Sequence, residues 1–90
     1  MGSGEHQNKL ETLQILQAII EAIDRRDEIF QAVEAAESDA EAQEAIGKVL
    51  GVGSVRSHFV LNMQARQWTR SGRARIAEDI EQLTRELDSP

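Results

Sequence analysis

Ninety residues, a formal net charge of -6 and no cysteine already exclude several classes of protein. A chain this short forms one domain at most and buries only about 60% of its unfolded surface, so it gains much by pairing with a copy of itself. Without Cys there are no disulfides, thiol nucleophiles or thiolate metal sites, and net acidity disfavours the phosphate contacts that dominate nucleic-acid affinity.

The charge is unevenly placed. Residues 1–50 hold eleven acids against four bases, whereas residues 51–90 hold five against six. That polarity fits two halves that pack on each other. No apolar run approaches the ~20 residues of a membrane span, and no signal-peptide pattern opens the chain. The expected location is therefore cytoplasmic. The opening "MGSGEH" has the Gly/Ser composition of a flexible tail or a cloning remnant, giving a tail over residues 1–7 and one helical domain over 8–90.

The stretch "KLETLQILQAIIEAIDRRDEIFQAVEAAE" contains neither Gly nor Pro. It predicts one continuous helix from Asn8 to Glu37, about 45 Å long. Leu13, Leu16, Ile20, Ile23 and Phe30 form one apolar row, and Ile15, Ile19, Ile29 and Val33 form a second. Together they cover an arc of roughly 200°, against the ~100° of an ordinary surface helix. Such a helix needs two neighbours.

Ser38-Asp39-Ala40-Glu41 has the form of a capping box and predicts a short helix through "AEAQEAIGKVL". Gly51 suits the C-terminal cap of that helix, and Ser54 suits the N-cap of the next. A third helix is predicted from Val55 to Gln67. It is apolar on two sides, with Val55, Phe59, Val60 and Met63 on one and Leu61, Ala65 and Trp68 on the other. Burial on both sides of so short a helix implies contact with another molecule.

Thr69 is placed to cap a last helix, in which Ile76, Ile80, Leu83 and Leu87 form an a/d-like seam. The fold class expected is all-α: two long antiparallel helices joined by a small knob of two shorter ones. The expected hairpin core is Leu16, Ile20, Ile23, Phe30, Trp68, Ile76, Ile80, Leu83 and Leu87. The expected homodimer interface, on the knob, is Val52, Val55, Phe59, Asn62, Met63 and Arg66.

The order of these parts resembles a known family. The run "ILQAIIEAIDRRDEIFQAVEAAESDAEAQEAI" is similar to the coiled-coil segment of type IIA DNA topoisomerase A subunits, bacterial gyrase A above all. The family's Ala-Leu-Asp step is matched by Ala22-Ile23-Asp24, and its later Asp-Glu pair by Asp27-Glu28. Its acidic, Ala-rich capping box is matched by "SDAEAQEA", and its knob helix with the following Thr by "VLNMQARQWT". The match runs from Leu10 to Leu87. This resemblance implies a dimerisation module, since in those enzymes two such arms meet at their knobs as an exit gate. The family's active-site tyrosine belongs to a separate domain, and this chain has no Tyr. At the knob, Asn62, Gln64 and Ala65 stand where the family commonly has acidic, Arg and Leu residues. Trp68 replaces a Leu, and Arg70-Ser71-Gly72 replaces a Gly-Leu-Glu step. These departures count against pairing with a gyrase subunit, the partner of a regulator that mimics the gate.

Arg66, Arg70, Arg73 and Arg75 form the most conspicuous chemical cluster. Cations at a helix N-terminus oppose the macrodipole, so helix stability does not account for them. They are read first as ion-pair partners of the acidic first half, and second as an anion or DNA contact. No Gly-rich phosphate loop accompanies them, although Gly72 leaves room for backbone to approach an anion. Asp24, Asp27 and Glu28 are interleaved with Arg25 and Arg26 and read as a solvated face, with Asp27 the one expected to pair with a return-helix arginine. His6 and His58 have no ligand set around them. The first helix "AIIEAIDRRDEIFQAV" also resembles, more faintly, that of all-helical chorismate mutases, whose arginines surround a dicarboxylate. No enzyme activity, cofactor or metal is expected. The leading expectation is a non-catalytic homodimerisation module, a scaffold or assembly factor.

Overall fold

The structure is a computed structural model that describes residues 2–89. Every regular element is helical: α1 Gly2–Asp24, α2 Arg26–Ala35, α3 Asp39–Leu50, α4 Ser54–Leu61, a 3-10 turn Ala65–Trp68, and α5 Arg70–Asp88. The body measures 46 × 27 × 18 Å.

The expected single first helix is instead two, broken at Arg25, whose φ of -113° and ψ of 35° are not helical. Nothing local demands this break, for neither Gly nor Pro is present. Its cause is the double apolar row. A straight helix would leave one row uncovered, whereas the break lets α1 pack on α5 and α4 while α2 packs on α3. Ile19, Ile23 and Ile29 are thereby all buried. The break is closed by side chains. The Arg25 guanidinium donates back to Glu21 at 3.2 Å and forward to Glu28 at 2.8 and 3.0 Å. Arg26 Nε donates to the carbonyl of Ile23 at 3.1 Å, satisfying a group that the interruption leaves open.

The helix also starts earlier than expected. The tail predicted for residues 1–7 is helical from Gly2 on, and Gln7 donates to Glu11 four residues later at 3.2 Å. Met1 lies outside the described residues.

Ser38 caps α3 as its type and spacing require, accepting the Glu41 N–H at 3.1 Å. The reciprocal half of the box is displaced by one residue, since the Glu41 carboxylate accepts from the Glu37 N–H at 2.9 Å. Gly51 ends α3 in the left-handed region at φ 67°, which glycine adopts without steric cost. Gly53, not Ser54, is the N-cap of α4; its carbonyl accepts from the Ser57 N–H and Oγ at 3.1 and 2.8 Å.

The third predicted helix stops at Leu61 rather than Gln67. Asn62 Nδ2 donates to the His58 carbonyl at 2.8 Å, and such side-chain competition for backbone groups favours a helix end. A 3-10 turn follows, and Thr69 then caps α5. Its Oγ1 accepts from the Gly72 N–H at 3.0 Å and donates to the Arg66 carbonyl at 2.8 Å.

Two ion pairs mark how α1 meets α5. Lys9 pairs with Glu86 at 3.0 Å near one end, and Asp24 with Arg73 at 2.7 Å near the other. The helices therefore pass side by side in opposite directions. The core lies where α1, α2, α3, α4 and α5 converge: Ala18, Ile19, Ala22, Ile23, Ile29, Ile46, Leu50, Val60 and Ile76. Of the residues expected there, Ile23 and Ile76 are fully in place, while Leu16, Ile20, Trp68 and Ile80 are half-buried against it. Leu83 and Leu87 are half-buried too, farther along α5. Phe30 is a correction. It is 45% exposed and lies against the Trp68 ring, centroids 4.8 Å apart, at the edge of the body.

Candidate interaction surface

Helix α4 has two unlike faces. Ser57 and Val60 point inward and are buried, with exposures of 1% and 2%. Val55, His58, Phe59 and Asn62 point outward. Val55 is 64% exposed and Phe59 is 44% exposed. Four residues apart, they stack one above the other on the same helix face. The His58 ring meets that of Phe59 edge-on, centroids 5.8 Å apart, and its Nδ1 lies 3.4 Å from the Asn62 amide nitrogen. The outward surface of α4 carries no carboxylate, which sets it apart in an acidic chain.

The predicted interface set divides accordingly. Val55, Phe59 and Asn62 share the outer face of α4. Val52 and Met63 turn toward the chain's own core, against which both are packed. Arg66 belongs to the 3-10 turn and is exposed beside a different surface feature, a cleft described below. His58, around which the sequence showed no ligand set, is a member of the outer face.

The arginine cluster is also divided. Arg73 alone meets a carboxylate, donating through Nε and Nη2 to both oxygens of Asp24 at 2.7 and 2.8 Å. The partner is Asp24, not the expected Asp27, which is exposed. Arg66, Arg70 and Arg75 make no ion pair among the described residues. Gly72 leaves no room for a side chain. It is buried, and a Cβ there would collide with the carbonyl oxygen of Arg66 and stand 2.8 Å from that of Gln67.

The hydrogen bond from Arg73 holds the Asp24 carboxyl below the usual aspartate range, with burial opposing it and the charges of Arg73 and Arg26 assisting to a smaller extent. A carboxyl whose folded value is depressed contributes stability that is present above its unfolded value and is lost as pH falls through the folded one. Both partners are about half exposed, so the contribution is small. Asp24→Asn is therefore expected to lower the melting temperature slightly at neutral pH. It should also flatten the decline of melting temperature on acidification relative to the unaltered chain, a comparison that calorimetry at stepped pH provides.

Among the described residues, no group of three His, Asp or Glu side chains is placed to hold a metal ion. Among the same residues, no helix is long and apolar enough to cross a membrane. No protein-family model matches this chain, and no curated protein matches it.

Proposed function

We propose that this protein is a non-catalytic homodimerisation module that pairs through the outer face of α4, serving as a scaffold or assembly factor. The observation that carries the proposal is the exposure of Val55 and Phe59 on one face of a helix whose opposite face is fully packed. Large apolar side chains stacked at one spot mark an interaction site more often than scattered ones do. A second copy is the favoured occupant for an electrostatic reason. Two chains of net charge -6 repel, and the outward residues of α4 offer a contact with no carboxylate of their own. A two-fold axis through this face sets Phe59 and Val55 against their equivalents, the self-complementary arrangement of most homodimers.

The resemblance to the topoisomerase exit gate supports the same surface, because there it is the knob that meets its copy. The sequence departures at Asn62, Gln64, Ala65 and Trp68 favour pairing with itself over pairing with a gyrase subunit.

Light scattering on a size-exclusion column tests this at several concentrations. The expected result is a mass of two 10.0 kDa chains, falling to one in Phe59→Asp while circular dichroism stays helical. Phe59 is exposed in the single chain, so the substitution leaves the fold intact. A single-chain mass for the unaltered protein at every concentration would overturn the proposal.

A further inference from the structure

The 3-10 turn and the first turns of α5 enclose a cleft of about 420 Å³, within the size range of small-ligand sites. Its walls are Leu16, Gly72 and Ile76. Its polar lining comes from Asn62, Gln64, Arg66, Gln67, Arg75 and Asp79. We infer that this cleft binds the oxyanion of a small carboxylate or phosphate compound, held between Arg66 and Arg75.

Three features converge on that chemistry. Arg66 and Arg75 line the same cleft and have no ion pair among the described residues, although the chain carries sixteen acidic side chains. Arg73, two residues before Arg75, is the one cluster member that takes a carboxylate of the chain itself, outside this cleft. Of the neighbouring amides, Gln67 adds a donor rather than an acceptor, because its Oε1 is occupied by the Gln64 N–H at 2.7 Å. Asn62 adds none, since its Nδ2 already donates to the His58 carbonyl. The Gln67 NH2 group has no hydrogen bond among the described residues and completes the donor set.

The third feature is energetic. Helix α5 has no acidic residue in its first turn and carries Arg70, Arg73 and Arg75 near its start. Cations placed there oppose the helix macrodipole. An anion lodged between Arg66 and Arg75 converts that unfavourable arrangement into a favourable one. Asp79, one turn beyond Arg75, is the only carboxylate in the lining and bounds the negative charge at that side. The walls of Leu16 and Ile76 accommodate a compact apolar body attached to the oxyanion. The volume excludes a nucleic-acid duplex, whose affinity would in any case require many phosphate contacts from an acidic chain.

The inference does not depend on dimerisation and is tested apart from it. The isotope-labelled full chain is titrated with inorganic phosphate and, separately, with citrate at constant ionic strength, and its amide and arginine Nε–H resonances are followed by NMR. Saturable shifts at Arg66, Gln67 and Arg75 are expected with at least one of the two, identifying the phosphate or the carboxylate source. Arg75→Gln should weaken binding about tenfold or more, as loss of a charge-assisted hydrogen bond implies, while Arg85→Gln on the exposed end of α5 leaves it unchanged. Both arginines are exposed, so neither variant threatens the fold. Shifts spread evenly over Arg56, Arg70 and Arg85, or no saturation with either anion, would overturn the assignment.

Discussion

Ile46→Ala is expected to cost about 2–5 kcal/mol of unfolding free energy, a large part of the roughly 5–10 kcal/mol that holds a small domain together. Ile46 has no exposed surface and lies on α3 in the cluster that joins Ile23, Ile29, Leu50 and Val60. Removing its outer carbons leaves a void walled by residues from several helices, and these cannot collapse inward without moving one another. Phe30→Ala removes a larger side chain but is expected to cost less, about 1–2 kcal/mol, because nearly half of the ring already meets water. Part of that cost is the lost contact with Trp68. Urea unfolding at one fixed protein concentration, with the slope unchanged, measures both. A Phe30 variant as unstable as the Ile46 variant would mean that the Phe30–Trp68 pair anchors the fold rather than its edge.

The second large effect is one of sign. Replacing an exposed helical glycine with alanine ordinarily stabilises by about 0.5–1 kcal/mol. Gly72→Ala is expected to do the reverse, destabilising by about 1–3 kcal/mol as overpacking does. The backbone angle is not the reason, since Gly51 is the one glycine of positive φ among the described residues. The reason is contact. The added methyl meets the Arg66 and Gln67 carbonyls, which are backbone and are held by the 3-10 turn and the Thr69 cap. The first turn of α5 would have to lift from the turn before it. Gly4→Ala is the matched control, because a Cβ there has nothing within 4 Å. It should be neutral or mildly stabilising. Thermal unfolding of the two variants beside the unaltered chain gives opposite shifts if close approach is the cause.

The same contrast between local and distant causes decides what could be read from the chain. Ser38, Gly51 and Thr69 were recognisable as caps because each acts within one turn: the Ser38 and Thr69 side chains accept from an N–H three residues on, and Gly51 supplies the left-handed angle itself. The seam of Ile76, Ile80, Leu83 and Leu87 was legible because helical spacing places those residues on one face. The wide apolar arc correctly signalled that the first segment needs more than one neighbour.

How that need is met was not legible. The break at Arg25 arises because α3 offers a second surface to Ile29, and no residue at the break announces it. Once α2 turns away, Phe30 moves to the edge of the body, and Val33 at the end of the other row is left exposed as well. The two candidate sites behave alike. Four arginines within ten residues were visible as a cluster, yet only packing brings Arg73 to Asp24, 49 positions away, and leaves Arg66 and Arg75 facing one cleft. Val55 and Phe59 were visible as apolar, but their exposure depends on α4 burying Ser57 and Val60 instead. The sequence by itself therefore determined the all-helical class, most of the caps and the apolar stripes, because these follow from hydrogen bonds and spacing within a turn or two. The tertiary structure decided where the helices break, which stripe is buried and which charges meet, because those depend on surfaces contributed by residues far along the chain.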